Sequence, residues 1–262
     1  MMMKNIPFVW VILLLLLFTS CAKNYKVEGT SAVSVIDGKM IYLKIAGENG
    51  MITVDSAEVV HGSFSMSGKL DSIMMVSIFM DGENYTPMVL EEGTVKVEIT
   101  PSGINVKGTP LNDKLFSYIC EKDALDQEME EATRLQSQLI MDGVEAEDAT
   151  TQAMQKAREV NVKMQALTKR FIQDNYENVL GTSVFLMVCA SSFPYPMLNE
   201  ELQELIDKAP ASFKNNLTIK EYVASARDNM LILQREMAQR QQASPQFETD
   251  PNEFSASTSK TK

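Results

Sequence analysis

The stretch Thr94-Val95-Lys96-Val97-Glu98-Ile99-Thr100 decides how the first half of this 262-residue chain folds. Its aliphatic residues alternate with charged or polar ones, and a period of two is typical of a β-strand with one buried face. Ser102-Gly103 follows, and Ile104 and Val106 then resume the alternation. Because glycine adopts a positive φ without strain, this stretch predicts two strands joined by a tight turn.

The same turn signal recurs between Tyr25 and Lys107, mostly at intervals of ten to twelve residues. Glycine follows a polar residue at each point: Asp37-Gly38, Asn49-Gly50, His61-Gly62, Asp81-Gly82 and Glu92-Gly93. Short strands at this spacing predict an antiparallel β-sandwich or barrel. Further strands are expected between the turns, at Lys39–Ala46, Thr53–Val60, Ser63–Lys69 and Ser72–Phe79.

The periodicity changes after Lys107. Apolar residues recur at steps of three, four and seven from Leu111, which predicts a long helix ending near Gly143 in a left-handed cap. A second helix is expected from Ala149 to Phe171, packed against the first as an antiparallel hairpin.

Three shorter helical patterns follow. Val184 to Ala190 is apolar all round and predicts a buried helix, and Asn199–Lys208 predicts another. Thr218 and Glu221 have the spacing of a capping box, which predicts the start of a last helix. Its apolar residues recur on one face from Ile219 to Met237.

The predicted fold is α+β, a sandwich followed by an antiparallel helical bundle. The β-sandwich domain is expected at residues 21–108 and the α-helical domain at 109–240, with the joint at Gly108-Thr109-Pro110. Residues 241–262 are mostly Ser, Thr, Gln, Pro and Lys, and this composition predicts a disordered tail.

The first twenty residues have the layout of an export signal. Lys4 precedes an apolar block from Ile6 to Phe18, which is shorter than the ~20 residues that a membrane-spanning helix needs. Thr19-Ser20-Cys21 then resembles the lipobox of bacterial lipoproteins, although Phe18 stands where that family prefers Leu, Val or Ile. The resemblance implies that residues 1–20 are a signal peptide and that Cys21 is lipidated; the alternative is an uncleaved anchor.

The residues after Cys21 bear on location. Ala22-Lys23-Asn24-Tyr25-Lys26 holds two lysines and no acidic residue, and strand-like sequence begins about four residues after Cys21. We therefore expect a protein anchored in the cell envelope through lipid on Cys21, facing the periplasm, with the sandwich close to the membrane.

Composition argues against nucleic-acid partners and leaves two alternatives for the cysteines. The formal net charge of −11 repels polyphosphate, so nucleic acid is not an expected partner. Besides Cys21, the chain has Cys120 and Cys189, whose separation fits no metal or redox motif. In an oxidising compartment, one alternative is a disulfide between Cys120 and Cys189, and the other is two free thiols.

The β segment carries an order of residues similar to a known family: Asp37-Gly38-Lys39, Asp55-Ser56-Ala57, Gly62-Ser63-Phe64, Val89-Leu90-Glu91, then Gly108-Thr109 and Leu111-Asn112. From roughly Tyr25 to Leu115 it resembles the domain of unknown function found ahead of thioredoxin-like domains in exported, often lipid-anchored, thiol–disulfide oxidoreductases. In that family Trp-Cys-x-x-Cys in the following domain does the chemistry. Here the only tryptophan is Trp10, and no two cysteines are close in sequence.

Candidate chemistry is sparse. His61 is the only histidine and has Ser56 nearby, but His61-Gly62 favours a hairpin turn. Gly62 to Lys69 departs from a phosphate loop in its spacing and reads as a strand. The carboxylates from Glu121 to Glu131 lie opposite the apolar stripe and predict a solvated surface. No catalytic residue, cofactor or metal site is predicted.

The sequence leaves three functional hypotheses. The first is a non-catalytic module that binds a protein or small ligand at the junction of sandwich and bundle. The second, implied by the family resemblance, is an accessory to periplasmic thiol–disulfide exchange that docks a separate thioredoxin-like enzyme. The third is a hydrolase built around His61.

Overall fold

The computed structural model describes residues 23–47 and 50–243 and confirms the α+β fold class. Cys21, the predicted signal and residues 244–262 lie outside the described residues. The strands are β1 Asn24–Ser31, β2 Met40–Gly47, β3 Gly50–Glu58, β4 Ser63–Lys69, β5 Met74–Met80, β6 Glu83–Leu90, β7 Gly93–Thr100 and β8 Gly103–Lys107. The helices are α1 Pro110–Met141, α2 Ala146–Asp174, α3 Val179–Ser192, α4 Glu200–Lys208, α5 Ala211–Asn215 and α6 Leu217–Ala243.

Two four-stranded sheets face each other as a sandwich. One has the order β4-β1-β7-β8 and the other β3-β2-β5-β6. β1 runs parallel to β7, and the other described strand pairs are antiparallel. Alternation along β1, β4 and β7 turns their apolar residues inward. The core joins residues of both sheets, among them Val27, Val95, Ile41, Leu43 and Ile78.

Both ends of β1 are tied to neighbouring elements. At its start, the Tyr25 hydroxyl donates a hydrogen bond of 2.8 Å to Asp55 Oδ2 in the opposite sheet. At its end, the Ser31 amide donates to the Gly62 carbonyl oxygen at 2.8 Å. We call the end of the sandwich at Tyr25 and Asp55 the proximal end, and the end at Ser31 and Gly62 the distal end.

Strand β6 was not among the strands predicted from the sequence. β6 contains Pro87, which disfavours a strand because it lacks a backbone N–H. β6 is an edge strand, and the Val89 amide points away from β5, toward α1. Residue 87 lies two positions before Val89, so its backbone nitrogen also faces away from β5. Proline there therefore removes no hydrogen bond between β5 and β6.

The predicted change from strands to helices falls where β8 ends at Lys107 and α1 begins at Pro110. The predicted cap at the end of α1 is confirmed. Gly143 has a φ of 89°. Its amide donates to the Ile140 carbonyl at 3.1 Å, and the Val144 amide donates to that of Leu139 at 2.9 Å. This pair of bonds is the Schellman motif.

Three details of the helical region differ from prediction. The capping box at Thr218 is wrong, because Asn216 Oδ1 accepts the amides of Thr218 and Ile219 at 3.0 and 3.3 Å and so caps α6. α3 is not buried all round, since Met187 is 51% exposed. The last helix runs three residues beyond the expected start of the tail, to Ala243.

The chain divides into two compact units between Phe185 and Leu186. The first holds the sandwich, α1 and α2, and the second holds α4 to α6; α3 spans the division. None of the helices in the described residues is long and apolar enough to cross a membrane.

Asn112 joins α1 to the edge of the sandwich. Its side chain is 1% exposed. Its Oδ1 accepts from the Val89 amide at 2.9 Å, and its Nδ2 donates to the Val89 carbonyl at 2.8 Å. This side-chain amide therefore completes the outer edge of β6 as a neighbouring strand would.

Glu91 caps the start of α1 from the same strand edge. Its Oε1 accepts from the amides of Leu111 and Asn112 at 2.8 and 3.2 Å. Thr109, at the N-cap position, instead accepts from Asn112 Nδ2 at 2.8 Å. A carboxylate at this helix start also faces the positive end of the helix dipole. Together Glu91, Thr109 and Asn112 form a buried polar cluster that fixes the sandwich to α1.

Asn112→Ala should destabilise the folded protein by about 2–4 kcal/mol, because both backbone groups of buried Val89 lose their partner. Urea unfolding followed by circular dichroism measures the change. Asn161→Ala on the exposed face of α2 is the control and should stay within about 0.5 kcal/mol of wild type. Equal stability of the two variants would contradict the role of the cluster.

Candidate functional site

The α1–α2 hairpin carries a groove of about 340 Å³ near its tip, lined by polar and aliphatic residues. A second groove, nearer the sandwich, has an aromatic floor and is the candidate binding site. Its volume is about 260 Å³. The two long helices pack antiparallel, so the early turns of α1 face the last turns of α2. We call this the hairpin groove, lined by Lys114, Ser117, Tyr118, Glu121, Leu167, Arg170 and Phe171.

An aromatic pair forms the floor of the hairpin groove. The rings of Tyr118 and Phe171 stack with centroids 4.2 Å apart and an interplanar angle of 22°. Tyr118 is 5% exposed, and its hydroxyl shares a hydrogen bond of 3.2 Å with Thr168 Oγ1. This bond holds the ring on α1 against α2, so the apolar floor is rigid.

Charged pairs join the two helices at the groove and farther along the hairpin. At the groove, Arg170 on α2 donates to Glu121 on α1 at 3.0 Å, and farther along Lys163 donates to Glu128 at 2.7 Å. The hydrogen bond from Lys163 holds the pKa of Glu128 below its ordinary value. These side chains are exposed, so such pairs contribute little to stability.

The groove was not predicted from sequence. Tyr118 and Phe171 were assigned to apolar helical stripes, and Glu121 and Glu128 to a solvated surface. The structure agrees that these carboxylates are solvent-facing, and it pairs them with α2 cations about 35 to 49 residues away in sequence. No local pattern signals such pairs, because their register depends on how the two helices pack.

In the first unit, side chains fill the space between the sandwich and α1. The cavity between β6, β8 and α1 has a volume of about 10 Å³, which is room for at most a single water molecule. Ile104, Leu115 and Phe116 line it. A ligand has no room there, which moves the candidate site to the hairpin groove.

His61 lies in the hairpin turn that the sequence favoured. His61 and Gly62 have φ of 49° and 70°, and Val60 bridges to Ser63 on either side of them. Positive φ at both central residues is the signature of a type I′ turn. His61 and Ser56 are both exposed, and no hydrogen bond joins them. The segment after Gly62 is strand β4, as predicted, and not a phosphate loop.

Among residues 23–47 and 50–243, no group of three His, Cys, Asp or Glu side chains is arranged to hold a metal ion. Glu130 pairs with Arg134 one helical turn away at 2.7 Å. The acidic segment of α1 thus uses its carboxylates in ion pairs along and between the helices.

The two thiols within the described residues are free and differ in environment. Cys120 on α1 is exposed. Cys189 on α3 is buried, and burial raises the pKa of its thiol to about 11. Tyr222 contacts Cys189, and its hydroxyl donates to the Met197 carbonyl at 3.0 Å. Cys189 is therefore a protonated core residue near neutral pH.

Comparison with known proteins finds one match. Residues 25–115, about a third of the chain, match the model of a family described as Domain of unknown function (DUF4369). No curated protein and no solved structure matches the chain. The match ends just after Asn112, so it covers the sandwich together with the helical turn that seals its edge. This confirms the domain of unknown function, whereas its association with thioredoxin-like proteins stays a prediction.

The two thiols should react differently with a soluble aromatic disulfide. Protein expressed from Ala22 onward should release dye from Cys120 alone at about pH 8, because Cys189 is buried and its raised pKa keeps it protonated. Unfolding in guanidinium should expose Cys189 and release a second equivalent. Cys120→Ser, the control, should show no fast release, and fast release from it would contradict the burial of Cys189.

Proposed function

We propose that this protein is a lipid-anchored envelope protein that acts by binding a protein partner, and not by catalysis. The observation that carries the proposal is the rigid aromatic floor of the hairpin groove, bordered by charges of both signs. Such a surface combines an apolar contact area with polar groups that orient a partner.

The size of the hairpin groove favours a polypeptide over a small molecule. Pockets for small ligands usually enclose ~300–1,000 Å³ and bury most of the ligand. The groove is smaller, at about 260 Å³, and lies along two helices. A helix or extended segment of a partner would lie along it, with an apolar side chain on Phe171 and charges against Lys114 and Glu121.

The anchor part of the proposal rests on the sequence around Cys21. The signal layout, the short apolar block and the lipobox-like residues all favour lipidation there. β1 begins at Asn24, so only a short segment joins Cys21 to the sandwich. The proposed location is the periplasmic side of the envelope.

The alternative is an accessory to thiol–disulfide exchange that docks a separate thioredoxin-like enzyme. The family resemblance and the exposed thiol of Cys120 support it. A mixed disulfide trapped between Cys120 and a thioredoxin whose resolving cysteine is replaced would favour it. Partner binding that is unchanged in Cys120→Ser would favour the first proposal.

Photocrosslinking from the hairpin groove tests the binding function. p-Benzoylphenylalanine placed at Ser117, on the groove, should give a discrete protein adduct in intact envelopes. The same residue placed at Ser137, exposed on the same helix outside the groove, is the matched control and should not. Arg170→Glu should reduce the Ser117 adduct, because it places like charge beside Glu121. Equal adducts from both positions, or none, would overturn the groove as the binding site.

Metabolic labelling tests the anchor. Cells supplied with a labelled fatty acid should label the wild-type protein, whereas Cys21→Ser should remain unlabelled and soluble after fractionation. Cys120→Ser is the control and should be labelled like wild type, since its thiol lies on α1. Label that persists in Cys21→Ser would overturn the lipid anchor at this residue.

A further inference from the structure

Apolar side chains are exposed at the proximal end of the sandwich. Met51 and Ile52 on β3 are 47% and 54% exposed, and Ile73, in the segment between β4 and β5, is 44% exposed. The Leu70 amide at the start of that segment donates to the Lys23 carbonyl at 2.9 Å. These three residues therefore belong to the end of the sandwich from which the chain leads back toward Cys21.

The chain between Cys21 and the sandwich is short. Tyr25, four residues later, is fixed to Asp55 by its hydroxyl. Fully extended, four residues span at most ~14 Å. At most that length of chain joins a lipid on Cys21 to Tyr25, so the lipid would hold the proximal end near the bilayer.

Met51 reaches a similar distance along β3. It precedes Asp55 by four residues, which corresponds to at most ~14 Å of strand. β1 and β3 both lead from the proximal end, fixed by Tyr25 and Asp55, to the distal end, where Ser31 meets Gly62. Lys23 and Asn24 before Tyr25, and Met51 before Asp55, thus lie toward the same end of the sandwich.

The strands that carry Met51 separate from the rest of their sheet. β2 pairs with β5 from Ile41 to Lys44, and the register of β2 with β3 shifts after Leu43. Beyond Lys44, the described pairing of β2 is with β3 alone, Ile45 with Ile52 and Ala46 with Met51. This part of the sandwich is a two-stranded ribbon.

Both faces of the ribbon expose an apolar side chain. Neighbouring residues of a strand point to opposite faces, so Met51 and Ile52 lie on opposite sides of the ribbon. A protein partner packed on one face would leave the other in water. Lipid, in contrast, contacts both faces of a narrow ribbon that enters the boundary between head groups and acyl chains.

α1 leads away from this end. Asn112 is bound to Val89 near the proximal end, and the following turns, at Leu115 and Ile119, line the small cavity with Thr86 and Ile104. Thr86 and Ile104 lie farther along β6 and β8 toward the distal end. α1 thus runs from the proximal end toward the distal end.

We propose that the proximal end is a membrane-contacting surface, in which Met51, Ile52 and Ile73 enter the head-group boundary of the bilayer that holds the lipid of Cys21. The inference rests on the proposed lipid anchor. A second contact point besides the lipid restricts rotation about the short linker, so the sandwich stands in one orientation, with α1 leading away from the membrane.

Tryptophan fluorescence tests this contact. Trp10 is the only tryptophan of the chain and leaves with the signal, so a single introduced tryptophan reports its own site. Lipidated Ile52→Trp and Val60→Trp are compared after reconstitution into phosphatidylcholine vesicles with or without brominated acyl chains. Ile52 and Val60 are equally exposed, at 54%, and lie at opposite ends of the sandwich, which makes Val60 the matched control.

In Ile52→Trp, the tryptophan emission maximum should shift to shorter wavelength on binding to the vesicles. Its emission intensity should fall by about half in brominated vesicles, since a residue at this boundary lies ~5–10 Å into the lipid. Val60→Trp should be unaffected. Protein that floats with the vesicles but shows equal, small quenching at both sites overturns the membrane contact and leaves the anchor intact. Protein that does not float with the vesicles overturns the lipid anchor and the contact together.

Discussion

The hydrogen bonds between the Asn112 side chain and the Val89 backbone are the interaction on which the first unit depends. β6 would otherwise be an open edge strand, whose unpaired backbone groups cost stability and invite aggregation. A helix cannot extend a β-ladder through its own backbone, but one amide side chain has the donor and the acceptor that a strand would supply. Glu91 completes the joint by capping the helix that carries Asn112.

The position and direction of the hairpin groove follow from that joint. Because α1 is held at its first turn to β6, it runs along the seam between β6 and β8, and α2 packs back against it. The stacked Tyr118 and Phe171 rings then meet at a defined distance from the sandwich. The same geometry leaves the proximal end to the chain leading from Cys21. The joint thus positions the hairpin groove relative to the proposed membrane contact.

Local rules predicted the features that neighbouring residues control. The turn at His61-Gly62 and the helix end at Gly143 follow from the freedom of glycine at positive φ, and both are confirmed. The capping box predicted at Thr218 is wrong, because Asn216 occupies the cap first. The competing factor there was the position of the residue within its element.

By itself, the sequence determined the order of elements, the change from strands to helices after Lys107 and the candidate anchor at Cys21, because periodicity and turn residues act over a few neighbours. The tertiary structure decided the strand order, the parallel pairing of β1 with β7 and the hairpin groove. Each of these joins residues far apart along the chain: Tyr25 to Asp55, Val89 to Asn112 and Glu121 to Arg170. Such partners are selected by packing of whole elements, and no local pattern encodes the choice.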